Sequence, residues 1–340
     1  MSDLGVLLAQ LGTPASPRTG DVRRYLREFL SDPRVIDLPG PTRWLLVNLV
    51  IAPFRAPRSA HAYRAIWTPE GSPLRVLGEA LAAALASALG PAVRVELGMR
   101  YGAPTLGDAL DRLAGAGAKR IVVIPLYPQL AESSVGSALA AVEAWRKQRP
   151  APPDLSVVPP FFAAPGFVDA VAAAARPVLA SRPEHVLMSY HGLPERHVRK
   201  ADPSGARCFA RPDCCLRPGA TDTCYRAQCL ATTRAVAAAL GLAPERVSTG
   251  FQSGLGRARW IGPSTDELLV SLAGRGVKRL AVLCPSFVAD CLETLEEIGI
   301  RARARWLGEL GGREFALAPC VNATPPFVTF LAEEARKAGV

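Results

Sequence analysis

The stretch LGDALDRLAGAGAKRIVVIPLYP at 106–128 is matched further along by TDELLVSLAGRGVKRLAVLCPSF at 265–287, with LAG-x-G-x-KR shared ahead of each apolar run. No other feature narrows the fold as far. Each copy reads as an amphipathic helix, a glycine turn, basic residues at the negative end of the helix and then a buried strand. The same alternation extends outward from both copies. The first half holds VLLAQLG (6–12), VRVELGMRY (93–101), RIVVIPLYP (120–128) and LSVVPPFF (155–162). The second holds HVLMSYHG (185–192), RVSTGFQS (246–253), RLAVLCPS (279–286) and FALAPCVN (315–322). Helical patterns such as VLGEALAAALASAL and ATTRAVAAALGL lie between them. Strands alternating with helices call for parallel sheets covered on both faces. The expected fold is therefore α/β, with two similar Rossmann-like, doubly wound domains. At 340 residues, of which 49 % are apolar, the chain can fill two cores. The expected divisions are 1–162, 163–312, and a C-terminal strand and helix at 313–340 that pack back on the first domain.

Several function classes drop out. Neither half carries G-x-G-x-x-G after its first strand, and Walker A is absent, which disfavours nicotinamide and nucleotide chemistry. The net charge of +10 suits an acidic small molecule or an anionic membrane surface. No nucleic-acid module or aromatic-interleaved basic run accompanies it, so no nucleic-acid partner is expected. MSDLGVLLAQLGTP lacks the basic start of an export signal, and no segment reaches the roughly 20 apolar residues that span a bilayer. A cytoplasmic protein with reduced thiols follows as the expectation. RWLLVNLVIAPFR (43–55) has two readings, a buried helix or an exposed apolar lip that docks on the inner face of the cell membrane. No oligomeric state is specified.

In parallel sheets, ligands bind beyond the carboxyl ends of the strands. His191 sits where VLMSYHG runs out, and Gly192 and Pro194 then turn the chain. A lone strand-end histidine is ordinarily satisfied within its loop, but His61, His185 and His197 have weaker settings. The corresponding tip of the later strand is CPSFVADCLETLEEIG. There Asp290, Glu293 and Glu297 are spaced i, i+3, i+7, which puts three carboxylates on one face of an α-helix. A capping box accounts for the first two but not the third. A file of carboxylates leading to a histidine suits a hard divalent cation and proton removal. Arg100, Tyr101, Tyr63 and Ser72 lie near other strand ends or turns; they are either ordinary buried residues or contacts to an anionic, planar ligand.

Five of the eight cysteines crowd into CFARPDCCLRPGATDTCYRAQC, 208–229. The surrounding loop, about 201–229, is rich in Pro and Gly, as a ligand cage requires. Cys208, Cys214, Cys215 and Cys224 form C-x5-C-C-x8-C, a four-thiolate set that fits either a 2Fe-2S cluster or structural zinc.

Taken together, LGTP, DVRRYLREFLSDPRVIDLP, YRAIWTPEGSPL, GMRYG, SYHGLP, FQSGLGRARWIGPSTDE and CPSFVADCLETLEEIG resemble the ferrochelatase family over nearly the whole chain. The resemblance implies insertion of Fe2+ into protoporphyrin IX, the terminal step of haem biosynthesis, in a cleft between two Rossmann-like domains. It implies that the active-site pair is His191 and Glu293, which also bind the substrate iron, with Asp290 and Glu297 as an acidic path. Leu11, Tyr63, Ser72, Arg100, Tyr101, Trp260 and Phe287 fall at porphyrin-binding positions, within and beyond a lip at about 41–74. Leu11 stands where some coproporphyrin-using members carry tyrosine, which favours protoporphyrin IX over coproporphyrin III. Glu132 occupies the internal position of a cluster ligand in animal-type members, so a 2Fe-2S cluster here would use the internal loop. Cys229 is set aside, since clusterless relatives also carry cysteine there. Remaining rivals are a non-catalytic tetrapyrrole or iron-siderophore binder, a cobalt or nickel chelatase, and an iron–sulfur electron carrier.

Overall fold

Among the described residues, eight strands form on the eight apolar runs and sort into two four-stranded sheets, parallel throughout. The computed structural model describes residues 3–254 and 258–339. The first sheet holds β1 (Leu4–Gly12), β2 (Arg94–Tyr101), β3 (Arg120–Pro125) and β4 (Asp154–Val157), in the order β2-β1-β3-β4. The second holds β5 (His185–His191), β6 (Val247–Gln252), β7 (Arg279–Leu283) and β8 (Glu314–Leu317), in the order β6-β5-β7-β8. Several strands stop short of the apolar runs that announce them. Pro159, Pro160, Pro285 and Pro319 follow closely, and proline has no N–H to give to a ladder.

The register makes the repeat exact to the residue along each first strand. Val6 pairs with Val95 and Gly5 with Ile121 in one sheet, as Val186 pairs with Val247 and His185 with Leu280 in the other. Carried to the strand tips, this match sets Leu11–Gly12–Thr13–Pro14 against His191–Gly192–Leu193–Pro194, and Arg100 against Gln252. The helices after the second strands also agree. Leu106–Gly115 and Thr265–Gly274 each open on a reciprocal capping box, Thr105 with Asp108 and Ser264 with Glu267. Each sheet is packed under its own core, with Leu7, Leu110, Val123 and Trp145 in one and Leu187, Leu269, Val282 and Trp306 in the other.

The chain divides into two units. One comprises Met1–Tyr127, Ala131–Pro160 and Phe327–Val340; the other comprises Pro128–Leu130 and Phe161–Pro326. The last strand and the last helix therefore part company, since β8 stays with the second sheet. The helix Pro325–Gly339 buries Phe327 and Leu331, and Arg336 donates to the carbonyl of Ala88 in the first unit.

Candidate functional site

The carboxyl edge of the second sheet carries the titratable groups. β5 ends on His191, and its next residue must be glycine: a Cβ on Gly192 would lie 2.8 Å from the Gln252 carbonyl oxygen. The main chain of His191 is held on both sides. Its N–H donates to Ser286 Oγ at 3.1 Å, and its carbonyl accepts from the Tyr225 hydroxyl at 2.8 Å. The imidazole Nδ1 lies 2.6 Å from the Gly192 carbonyl oxygen. A carbonyl can only accept, so Nδ1 carries the hydrogen, and the neutral ring presents Nε2 as its lone-pair nitrogen. The ring of Phe287 stands edge-on at 6.4 Å.

Gln252 ties this histidine to the carboxylates. It pairs with His191 across the ladder and is 3 % exposed. Its Oε1 accepts from Ser189 at 2.7 Å and its Nε2 donates to the Glu293 carbonyl oxygen at 2.8 Å. Next to it, Ser253 adopts a left-handed φ of 66°. That turn aims both its N–H and its hydroxyl at Glu297, at 2.9 and 2.5 Å. Glu293 and Glu297 both remain partly exposed. The Cys291 thiol lies against Glu293, and burial, followed by the Glu293 charge, pushes that thiol well up.

The arrangement of the acidic file differs from the expectation. Glu293–Ala302 is a π-helix, a wider turn than the α-helix assumed from the spacing, and it begins only at Glu293. Asp290 precedes it and is buried. Its carboxylate accepts from the Thr294 hydroxyl (3.2 Å), the Cys320 N–H (3.3 Å) and the Asn322 amide (2.8 Å). With its oxygens so engaged, Asp290 fastens the helix start to the loop after β8, and of the three carboxylates only Glu293 and Glu297 lie on the π-helix itself.

At the matching edge of the first sheet, Leu11 stands in place of His191 and Arg100 in place of Gln252. Arg100 Nη2 pairs with Asp32 Oδ2 at 2.6 Å, and its Nε donates to Ser137. The Tyr101 hydroxyl, on a side chain 1 % exposed, donates to the same Asp32 oxygen at 3.0 Å. Burial pushes the Asp32 carboxyl up, but hydrogen bonds from Ser137, the Arg34 N–H and Tyr101, together with the Arg100 charge, outweigh it and hold it below the usual range. Burial drives the Tyr101 phenol upward. Polar atoms committed in this way give no support to Arg100 and Tyr101 as ligand contacts. Tyr63 is buried edge-on against Tyr25 and Trp67. Ser72 bonds to Thr13 at 2.7 Å beside a recess of about 80 Å3 that Trp67 and Arg75 also line. Leu11 and Trp260 are half-buried. Asp32, Ser137, Gln252, Ser253 and Tyr225 were not singled out from the sequence. Gln252 could have been: it lies one strand over from His191 once the repeat is put in register.

In the cysteine loop, Cys208, Cys214 and Cys224 line an open cavity of about 560 Å3. The Cys214 and Cys215 sulfurs are 3.8 Å apart, and Arg226 Nη1 approaches Cys215 Sγ at 3.3 Å. A hydrogen bond from Cys215 holds the Cys224 thiol below its usual value, and the same bond, with burial, pushes Cys215 up. Cys215 thus contacts both Cys214 and Cys224. Among the described residues, no three His, Cys, Asp or Glu side chains are grouped closely enough to hold a metal ion. Cys229 is fully buried in the helix Tyr225–Ala239.

The apolar run 43–55 is not the buried helix of the first reading. It lies across three consecutive helical segments, Gly40–Leu45, Leu46–Ile51 and Ala52–Ile66. Trp44 (57 %), Leu49 (57 %) and Phe54 (74 %) project into solvent, with Leu45 and Val50 beside them. No helix of the described residues is long and apolar enough to cross a membrane.

Three comparisons bear on this geometry. The family model described as Ferrochelatase matches residues 3–338. A ferrochelatase of Azotobacter vinelandii is 49 % identical over 344 residues, covering 100 % of both chains, and one of Pseudomonas entomophila is 48 % identical over 334 residues, covering 98 % of both. Among solved structures, SirB from Bacillus subtilis with Fe3+ superposes with a TM-score of 0.57 at 10 % identity, over 100 % of this chain and 96 % of that one. SirB in complex with cobalt, from subspecies spizizenii, gives 0.53 at 11 % identity over the same shares. At such identities the structural likeness establishes the chelatase fold alone.

Proposed function

The chain belongs to the ferrochelatase family, ferro-lyases that insert Fe2+ into a porphyrin, and we propose that its substrate is protoporphyrin IX and that His191 and Glu293 carry the reaction. The observation behind this reading is the Nδ1 contact of His191 to the Gly192 carbonyl at 2.6 Å, which leaves Nε2 as the proton acceptor. A free-base porphyrin must lose two pyrrole protons as the metal enters, and the Nε2 lone pair of His191 can take them one at a time. Glu293 is the matching hard oxygen donor for arriving Fe2+, and Glu297, fixed by Ser253, continues the acidic path behind it. Asp290 stands at the head of that path, with its carboxylate bonded to Thr294, Cys320 and Asn322. An enclosed site complementary to a buckled macrocycle would expose the ring nitrogens and lower the barrier. The apolar Leu11 favours protoporphyrin IX; coproporphyrin III is the second reading.

Steady-state iron insertion with both porphyrins tests this. We expect kcat/KM for protoporphyrin IX to exceed that for coproporphyrin III at least tenfold. His191→Ala and Glu293→Gln should each lower kcat by roughly a hundredfold, the scale of a lost general acid–base group. Faster turnover of coproporphyrin III would overturn the substrate, and unchanged turnover in Glu293→Gln would remove Glu293 from the scheme.

Cys208, Cys214, Cys215 and Cys224 are the ligand set for a 2Fe-2S cluster, with structural zinc as the alternative; the all-thiolate chemistry and the cavity beside the thiols support it. When bound, such a group would cross-link the loop, and insertion at constant oxidation state draws no electron from it. The exposed apolar lip is the part of this cytoplasmic protein that rests on the inner face of the cell membrane.

A further inference from the structure

We propose that Tyr225 is a positioning residue that couples the cysteine loop to His191. Cys224 caps the helix Tyr225–Ala239, its Sγ accepting from the Ala227 N–H at 3.5 Å. The very next side chain crosses to the strand tip, where its hydroxyl donates to the His191 carbonyl at 2.8 Å. On the other side, Ser286 Oγ accepts from the His191 N–H at 3.1 Å. Tyr225 and Ser286 thus clamp both peptide groups that flank the histidine. Those peptides set the direction of the Gly192 carbonyl, and that carbonyl holds the hydrogen on Nδ1.

The helix behind the phenol is well anchored. Gln228 accepts from the Leu130 N–H at 2.6 Å and donates to the Thr221 carbonyl at 2.7 Å; Thr232 donates to the Phe162 carbonyl at 2.7 Å. Arg226 reaches the other way, from Cys215 Sγ to the Gly262 carbonyl. A change in the loop thiols therefore pulls on the helix start, which carries Tyr225, and its shortest route to the reacting ring is one hydrogen bond and one peptide. The consequence is a tautomer: a loosened clamp frees the Gly192 carbonyl, and the ring hydrogen moves from Nδ1 toward Nε2, which removes the lone pair that must take a pyrrole proton.

This inference rests on His191 being the base, and its test separates the two claims. The chain has only four histidines, so nitrogen-15 spectra of the imidazoles can be assigned one by one. In the unmodified protein His191 should be the Nδ1–H form when neutral. Tyr225→Phe keeps the ring and loses the donor. It should raise the Nε2–H fraction and lower kcat roughly tenfold, with KM for porphyrin and for iron unchanged, since small misplacements of a reacting group act on the chemical step. Ser286→Ala, which opens the clamp from the other side, should shift the tautomer in the same direction. An unchanged His191 tautomer in both variants, with kcat within twofold, would overturn the coupling. Full turnover in His191→Ala would instead overturn the base assignment, and the tautomer measurement would still decide whether the clamp exists.

Discussion

His185 and His191 open and close one strand, and burial gives them opposite uses. His185 is 2 % exposed, with Nε2 at 2.8 Å from Ser248 Oγ; burial, then the charges of Arg275 and Arg246, lowers it from 6.5 to about 4. It is neutral in the folded chain, whereas the unfolded chain takes up its proton as pH falls below 6.5. The folded state is therefore fully favoured above that value and loses ground as pH drops toward about 4, by at most about 3 kcal/mol. Calorimetric melting temperatures should fall across this window, and His185→Gln should flatten the slope there. A slope unchanged by the substitution would assign the loss to other groups. Asp32 acts in the same sense at more acid pH: its depressed carboxyl contributes above 3.8 and is lost as pH falls through its lower folded value.

Among the elements, the π-helix Glu293–Ala302 and the cysteine loop depart most from regular structure. The π-helix sets the Glu293 main-chain carbonyl against the Gln252 amide while Asp290 stays outside as a fastening. For the loop, the ultraviolet–visible spectrum of aerobically purified protein is decisive. We expect sulfur-to-iron charge-transfer bands with iron and acid-labile sulfide in equal amounts, lost in Cys214→Ser and retained in Cys229→Ala, because Cys229 is sealed inside its helix. A colourless preparation holding stoichiometric zinc would replace the cluster with a structural metal site.

The whole molecule combines a net charge of +10 with an apolar lip, and the two features favour the same kind of surface. On the proposed reading, basic charge would draw the protein to anionic lipid from within the screening length, and the apolar side chains would hold it there. Vesicles of phosphatidylserine and phosphatidylcholine should bring the protein down on centrifugation. Trp44→Ser with Phe54→Ser should weaken that binding roughly tenfold, and raised salt should weaken it further. Protein that stays in the supernatant at low salt would make the lip something other than a lipid surface.

How much was legible follows from what each signal depends on. Strand and helix alternation, the repeat, and His191 at a strand tip ahead of Gly192 and Pro194 are local patterns: apolar period and turn chemistry act over a few residues, so the sequence carries them by itself. The pairing of His191 with Gln252, the commitment of Arg100 to Asp32, the fastening of Asp290 to Asn322 and the reach of Tyr225 to the histidine carbonyl join residues 32 to 68 positions apart. Such contacts depend on strand register and on which polar atoms are left without water, and those are settled only when the chain closes on itself.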